Sequence, residues 1–299
     1  MRFIPFILSA AIAAASITTA EAASRIDKLK STNEIALGYR ETVIPFSYLD
    51  GQQKPIGYSI DICHSIVDTL KKNLNLPDLH TKMVPVTPAS RIPLIANGTV
   101  DLVCGVSTNN AQRQTQVSFA PTTFVTATRF AALKKSHLKD LHDFNGKVVV
   151  GVSGSSNLRW LTKTNDEQQL GMKIITAKGQ PEGLFSVDTG RASAFFMDDV
   201  LLAGLVANSH SPNDWMISDT AYTIEPYGIM EPKADEPFKT AVDNAVKAIM
   251  ANGAINALYN KWFTRPIPPT NVNLNWPISP ELKKAFEHPT DSPDPAVYK

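Results

Sequence analysis

Two series of alternating apolar strands and amphipathic helices, separated by the basic turn Lys134-Lys135, constrain this chain more than any other feature. In the first series, residues 35–39 read as a short apolar strand ending at Arg40, and 43–48 as an extended segment closed by the turn Asp50-Gly51. After Asp61, the residues Ile62, Ile66, Leu70 and Leu74 recur at helical spacing. Residues 82–86 form the next expected strand; Thr87 followed by Pro88 predicts a helix start, and Gly98 its stop before a strand at 100–104. The second series repeats the pattern: strand 147–152, helix 158–163, strand 173–176, helix 182–189 ending at Gly190, and strand 192–197, which delivers Asp198 and Asp199 at its carboxyl end. Two further helices follow Asp235, one with Phe238, Val242, Val246 and Ile249 on a single face, the other carrying Ile255, Leu258, Tyr259, Trp262 and Phe263. The tail from Pro266 is proline-rich and is expected to wrap the surface. Such alternation predicts an α/β fold with largely parallel sheets, whose ligands collect at the carboxyl ends of strands.

At 299 residues and 43% hydrophobic content the chain can build two packed units, taking ~150 residues per domain as a prior. It leaves the first unit at residues 121–131 and returns near 222–230, and two crossings predict a hinge. The expected division is residues 1–22 as an export signal, 23–124 with 226–299 as one lobe, and 125–225 as the other.

The signal reading rests on Arg2, the apolar run 3–15 and the small-x-small sequence Ala20-Glu21-Ala22, which predicts cleavage after Ala22. That run is shorter than the ~20 residues needed to span a bilayer, and no later segment is apolar enough to do so. The expected product is exported. Lys and Arg number 29 against 28 Asp and Glu, so no overall field draws nucleic acid or an anionic membrane, and any anion site must be local. The two cysteines, Cys63 and Cys104, are either a bridge or two buried thiols, since spacing alone sets no geometry. No Cys or His spacing suggests a metal, and no cofactor is expected.

Four places carry chemistry. In the run from Cys104 to Arg113, a strand end, the hydroxyls of Ser107 and Thr108, and a helix starting near Asn110 bring exposed amides and the Arg113 fork together, a suitable cradle for a carboxylate. Read more plainly, the same run is a helix cap with a surface arginine. The run Ser153-Gly154-Ser155-Ser156-Asn157 is a second anion cradle, without the Lys of a P-loop or the spacing of a GxSxG elbow. Asp198 can hold an ammonium or cap the next helix. Arg40 follows a strand end, and Arg91 lies in a first helical turn, where a cation opposes the macrodipole and so calls for an anionic partner.

These residues bring the chain to a resemblance. Gly38-Tyr39-Arg40-Glu41, Pro45-Phe46-Ser47-Tyr48, Arg91-Ile92-Pro93-Leu94, Asn97-Gly98-Thr99, Thr108-Asn109-Asn110, Gly190-Arg191-Ala192, Phe196-Met197-Asp198-Asp199, Leu201-Leu202-Ala203-Gly204, Lys261-Trp262-Phe263 and Pro266-Ile267-Pro268-Pro269 all resemble the periplasmic solute-binding proteins (family 3) of polar amino-acid ABC importers, in particular those for glutamate and aspartate. The resemblance spans the mature chain. It implies a type II, two-lobed fold closing on the ligand, with Arg113, Thr108 and Ser155 on the α-carboxylate, Asp198 on the α-ammonium, and Arg40 and Arg91 facing the side-chain carboxylate. It also implies that Val106, Gln180 and Ser90 belong to the site. Pro88, Gln180 and Val106 depart from the pattern, standing where near relatives carry a serine, a histidine and a serine. Ile229 replaces a cysteine that pairs with the equivalent of Cys104, which makes Cys63 the candidate partner.

The expected function is periplasmic capture of L-glutamate or L-aspartate by a monomer that delivers them to an inner-membrane ABC permease. Two guanidinium groups at the distal end favour an acid over an amide, while one methylene separates glutamate from aspartate by only about 1–3 kcal/mol. A dehydratase-type enzyme on the same scaffold would need a general acid, for which Glu182 is the one loose candidate. A ligand-binding sensor subunit would carry the same site residues as a transport protein.

Overall fold

The computed structural model describes residues 24–299, so the predicted signal and its cleavage point lie outside the described residues. The two series become two five-stranded sheets with the same plan. In the first, the strands His80–Pro85, Glu34–Tyr39 and Leu102–Cys104 run parallel, and Met230–Pro232 then Val117–Phe119 complete the order. In the second, Lys173–Ala177, Val148–Val152 and Ala194–Asp198 are parallel, followed by Thr128–Leu133 and Trp215–Ile217. The expectation of largely parallel sheets needs correcting at these outer positions. Met230–Pro232 is antiparallel to both its neighbours, as is Thr128–Leu133 to its own. Both strands enter their sheet directly from a crossing between the lobes, with no helix to turn the chain round, and antiparallel pairing needs none.

The crossings are the strands Phe124–Thr126 and Glu225–Tyr227, which pair antiparallel as a two-stranded ribbon. Phe124 and Tyr227 anchor it in an aromatic cluster of the first lobe, with Phe46 and Phe263 each 4.9 Å from Phe124 between ring centroids. Such contacts contribute beyond their buried area.

The helix expected from Asp61 begins earlier, as Tyr58–Asn73, because Gly57 adopts φ 133° and presses against the Phe46 carbonyl, where a Cβ would sit 2.3 Å from that oxygen. The helix expected from Pro88 begins later, as Arg91–Ala96. Thr87 and Ser90 instead bond each other reciprocally: each backbone N–H donates to the other's hydroxyl, at 2.9 and 3.0 Å. Cys63 on the long helix and Cys104 at the end of the central strand form a disulfide, with both residues fully buried, and Ile229 is buried without a role in it.

The tail does more than wrap. Ser279 caps a helix Pro280–Glu287 whose Leu282, Ala285 and Phe286 are buried, and beyond it the Asp291 carbonyl accepts from Asn109 Nδ2 at 2.8 Å and Gln114 Nε2 at 2.9 Å. The tail therefore braces the loop that carries Thr108 and Arg113. It is held by Lys239, which lies between Asp291 (2.9 Å), Asp243 (3.0 Å) and the wholly buried Glu231 (3.5 Å). Burial drives the Glu231 carboxyl well above its usual range, and Lys239 pulls it back. Lys239→Met is expected to cost about 3 kcal/mol at pH 8, since removing one partner strands a buried charge. A carboxylate whose proton affinity is raised in the fold binds more protons folded than unfolded, so its penalty grows with pH. The loss should therefore shrink at pH 5; urea unfolding at both pH values checks it, and equal losses would contradict it.

Candidate functional site

The carboxyl ends of both sheets face a shared cavity. The first lobe lines it with Arg40, Pro88, Arg91, Val106, Thr108 and Arg113, and the second with Ser155, Ser156, Asn157, Gln180, Met197 and Asp198. The local folding explains the positions. Asn110 caps the one-turn helix Ala111–Gln114 by accepting the Arg113 N–H at 2.9 Å, which turns the Arg113 side chain back over Thr108. Gly105 leaves room for the stem of Arg40, whose Cγ would lie 3.1 Å from a Cβ there. Gly154, at φ 79°, lets the second lobe approach the Pro88-Ala89 backbone, where a Cβ would come within 2.9 Å.

Each guanidinium is almost fully buried and anchored by neutral oxygens. Arg113 donates to the Thr108 carbonyl at 2.8 Å and to the Gly154 carbonyl at 3.3 Å, one from each lobe. Arg40 donates to Gln180 Oε1 at 3.1 Å, again across the lobes. Arg91 donates to the Val106 carbonyl and to Ser107 Oγ, and its Nε has no partner. Because Arg91 uses the backbone of Val106, the valine side chain leaves that anchor intact. Among the described residues none of the three forms an ion pair. Burial lowers the pKa of Arg40 and of Arg113 to about 10. Burial, then the repulsion of Arg113 and Arg40, pulls Arg91 well below its ordinary value. Three cations held together out of water constitute an unmet demand for anionic charge.

Asp198 ends its strand but does not cap the following helix with its side chain. Its carboxylate instead accepts from Asn157 Nδ2 at 2.7 Å and from the Tyr227 hydroxyl. Burial, then the nearby Glu225 carboxylate, pushes its pKa up, a cost that a ligand ammonium would offset. Ser155 lines the cavity while its Oγ caps Ser156–Glu167 by accepting from Leu158 N–H at 3.0 Å. Thr108 Oγ1 meets Ser156 Oγ at 3.0 Å.

Eight of the expected site residues thus line one cavity: Arg40, Arg91, Val106, Thr108, Arg113, Ser155, Gln180 and Asp198. Ser90 does not line it and bonds Thr87 instead. Glu182 is exposed and accepts the Lys178 N–H at 2.8 Å, away from the cavity. Sequence reasoning missed Ser156, Asn157, Glu225 and Tyr227. The first two stood inside the run quoted for Ser155; the last two, two residues apart on a crossing strand, share a face that only the period of an extended chain could have suggested.

Fold and cavity together define a two-lobed binding protein of the type II class, built to close on a small solute. The chain belongs to the bacterial extracellular solute-binding proteins, family 3, which it matches over residues 35–265. It is 45% identical over 296 residues to an L-glutamate/L-aspartate-binding protein of Pseudomonas aeruginosa, covering 97% of this chain and 98% of that one. It is 42% identical over 284 residues to a glutamate/aspartate import solute-binding protein of Escherichia coli, covering 95% and 94%. An ABC uptake transporter substrate-binding protein from Streptococcus pneumoniae, solved with bound histidine, shares the fold with a TM-score of 0.73 at 16% identity, over 81% of this chain and 97% of that one.

Proposed function

We propose that this protein binds the acidic amino acids L-glutamate and L-aspartate between its lobes for import by an ABC transporter. The observation that carries the reading is the charge in and beside the cavity: three buried guanidiniums without ion pairs stand against one lining carboxylate, Asp198, and a buried one behind the lining, Glu225, one negative charge short of balance. An acidic amino acid brings one net negative charge, whereas glutamine brings none. Arg113, Thr108 and Ser155 hold the α-carboxylate, Asp198 the α-ammonium, and Arg40 and Arg91 the side-chain carboxylate. Gln180 and Val106 shape the far wall. Residues 23–124 and 226–299 form one lobe and 125–225 the other, with hinge crossings near 121–131 and 222–230. The protein works in the periplasm as a monomer after cleavage behind Ala22, and its closed form is what the inner-membrane permease reads. Both relatives above are named as binding proteins, not enzymes.

Titration calorimetry against a panel of amino acids tests this directly. Heat is expected from glutamate and aspartate at concentrations where glutamine and lysine give none, with glutamine binding only at far higher concentration. Turnover of prephenate or arogenate with no heat from the acidic amino acids would overturn the reading in favour of a dehydratase.

A further inference from the structure

Glu225 does not line the cavity, yet it is buried at 4% exposure beside it and accepts from the hydroxyl of Ser156, which does line it. Its strand, Glu225–Tyr227, is bonded on one edge to Phe124–Thr126 and on the other to the loop carrying Thr108. In that second pairing Asn109 N–H donates to the Pro226 carbonyl at 2.7 Å and Gly228 N–H to the Ser107 carbonyl at 3.1 Å. The Glu225 carboxylate accepts from Ser156 Oγ and from Thr223 Oγ1, each at 2.8 Å.

An ionised carboxylate only accepts, and a hydroxyl has one proton to give. Ser156 therefore spends its proton on Glu225, so Thr108 is the donor in the 3.0 Å contact between Thr108 and Ser156. Thr223 Oγ1, the donor to Glu225, also stands 2.8 Å from Thr128 Oγ1. The oxygen of Thr128 then accepts one N–H of Asn157, whose amide nitrogen also donates to Asp198, both at 2.7 Å. Polar contacts through one hinge carboxylate thus join the carboxylate loop of the first lobe to the ammonium-binding aspartate of the second.

We propose that Glu225 is a positioning residue for amino-acid capture, a buried hinge carboxylate that brings Thr108 and Ser156 into register with Asp198 as the lobes close. The proposal rests on the amino-acid-binding reading above. The titratable groups that face Asp198 and Glu225 are Arg91 and Arg113 from the first lobe, Asp199 from the helix after Asp198, and Tyr227 from the hinge strand. Glu225 and Asp199 both stand outside the cavity lining, and of the two only Glu225 accepts from a lining hydroxyl, that of Ser156.

The test is calorimetric titration of glutamate and aspartate into the wild type, Glu225→Gln and Glu225→Asp at pH 7.5 and pH 5.5, with thermal melts of each protein. Glu225→Gln should weaken both ligands equally by roughly 20-fold, the scale of hydrogen bonds to a charged group. Its further loss of affinity at pH 5.5 should be smaller than the wild type's, because Asp198 no longer has a second carboxylate raising its proton affinity. Glu225→Asp keeps the charge but not the reach, so it should show the wild-type pH response at reduced affinity. Wild-type affinity in Glu225→Gln, or a loss that keeps the wild-type pH response in a normally melting protein, would overturn the positioning role alone. Failure of the wild type to bind either ligand would overturn the amino-acid reading with it.

Discussion

Arg113→Ala is expected to abolish binding of glutamate, aspartate and glutamine together, whereas Arg91→Ala should cost the acidic ligands alone. Arg113 donates to carbonyls of both lobes, Thr108 at 2.8 Å and Gly154 at 3.3 Å, so its loss removes a ligand contact and a closure contact in one step. The α-carboxylate it is proposed to hold is common to every amino acid. Truncating one side of a buried, hydrogen-bonded charge pair costs roughly 2–5 kcal/mol. With the lobe bridge added, the upper half of that range applies, a loss of about 10³-fold or more. Arg91 is tied only to its own lobe, through Val106 and Ser107, and the amide of glutamine does not need its charge. A loss of about 100-fold for glutamate, with less than about threefold for glutamine, is the expected split. Calorimetry measures both, and unchanged melting of the unliganded variants excludes misfolding. Equal losses for all ligands in Arg91→Ala would contradict the roles assigned.

The strand and helix series could be read because each apolar run has the period of its element, as Ile62, Ile66 and Leu70 show on Tyr58–Asn73. The cavity could be read where an unusual residue stands at an element end: Arg91 opening a helix, Asp198 closing a buried strand. What sequence could not supply was contact between segments far apart. Asp198 looks like a helix cap until Asn157 and Tyr227 are seen to take both its oxygens. Glu225 looks like one acid in a linker until its partners Ser156 and Thr223 are brought to it by the pairing of the two hinge strands. Ser279-Pro280 carried a cap and a first helical residue in plain view, but the tail's proline content masked it. Ser90, which the family resemblance alone brought to the site, lies outside the cavity lining, in a turn with Thr87.

Replacing Cys63 and Cys104 together by alanine is expected to lower stability by roughly 4 kcal/mol, because the bridge closes a 41-residue separation and chain-entropy cost rises slowly with loop length. That loop holds the edge strand His80–Pro85 and the helix that opens on Arg91, so the bridge restrains the segment presenting one of the three guanidiniums. Both cysteines are fully buried. In the oxidised protein neither should therefore react with an alkylating reagent until unfolding and reduction. A loss of that size in a chain of this length lowers the melting temperature by about 10 °C. Glutamate at a hundred times its dissociation constant contributes about 2.7 kcal/mol to the folded state, so it should restore much of the melting temperature but not all of it. Thermal melts of wild type and variant, with and without glutamate and with and without reductant, make the comparison. Reductant should move the wild type toward the variant and leave the variant where it is. A wild type indifferent to reductant after full reduction of its thiols would show that the bridge contributes nothing, and that packing of the two buried side chains suffices.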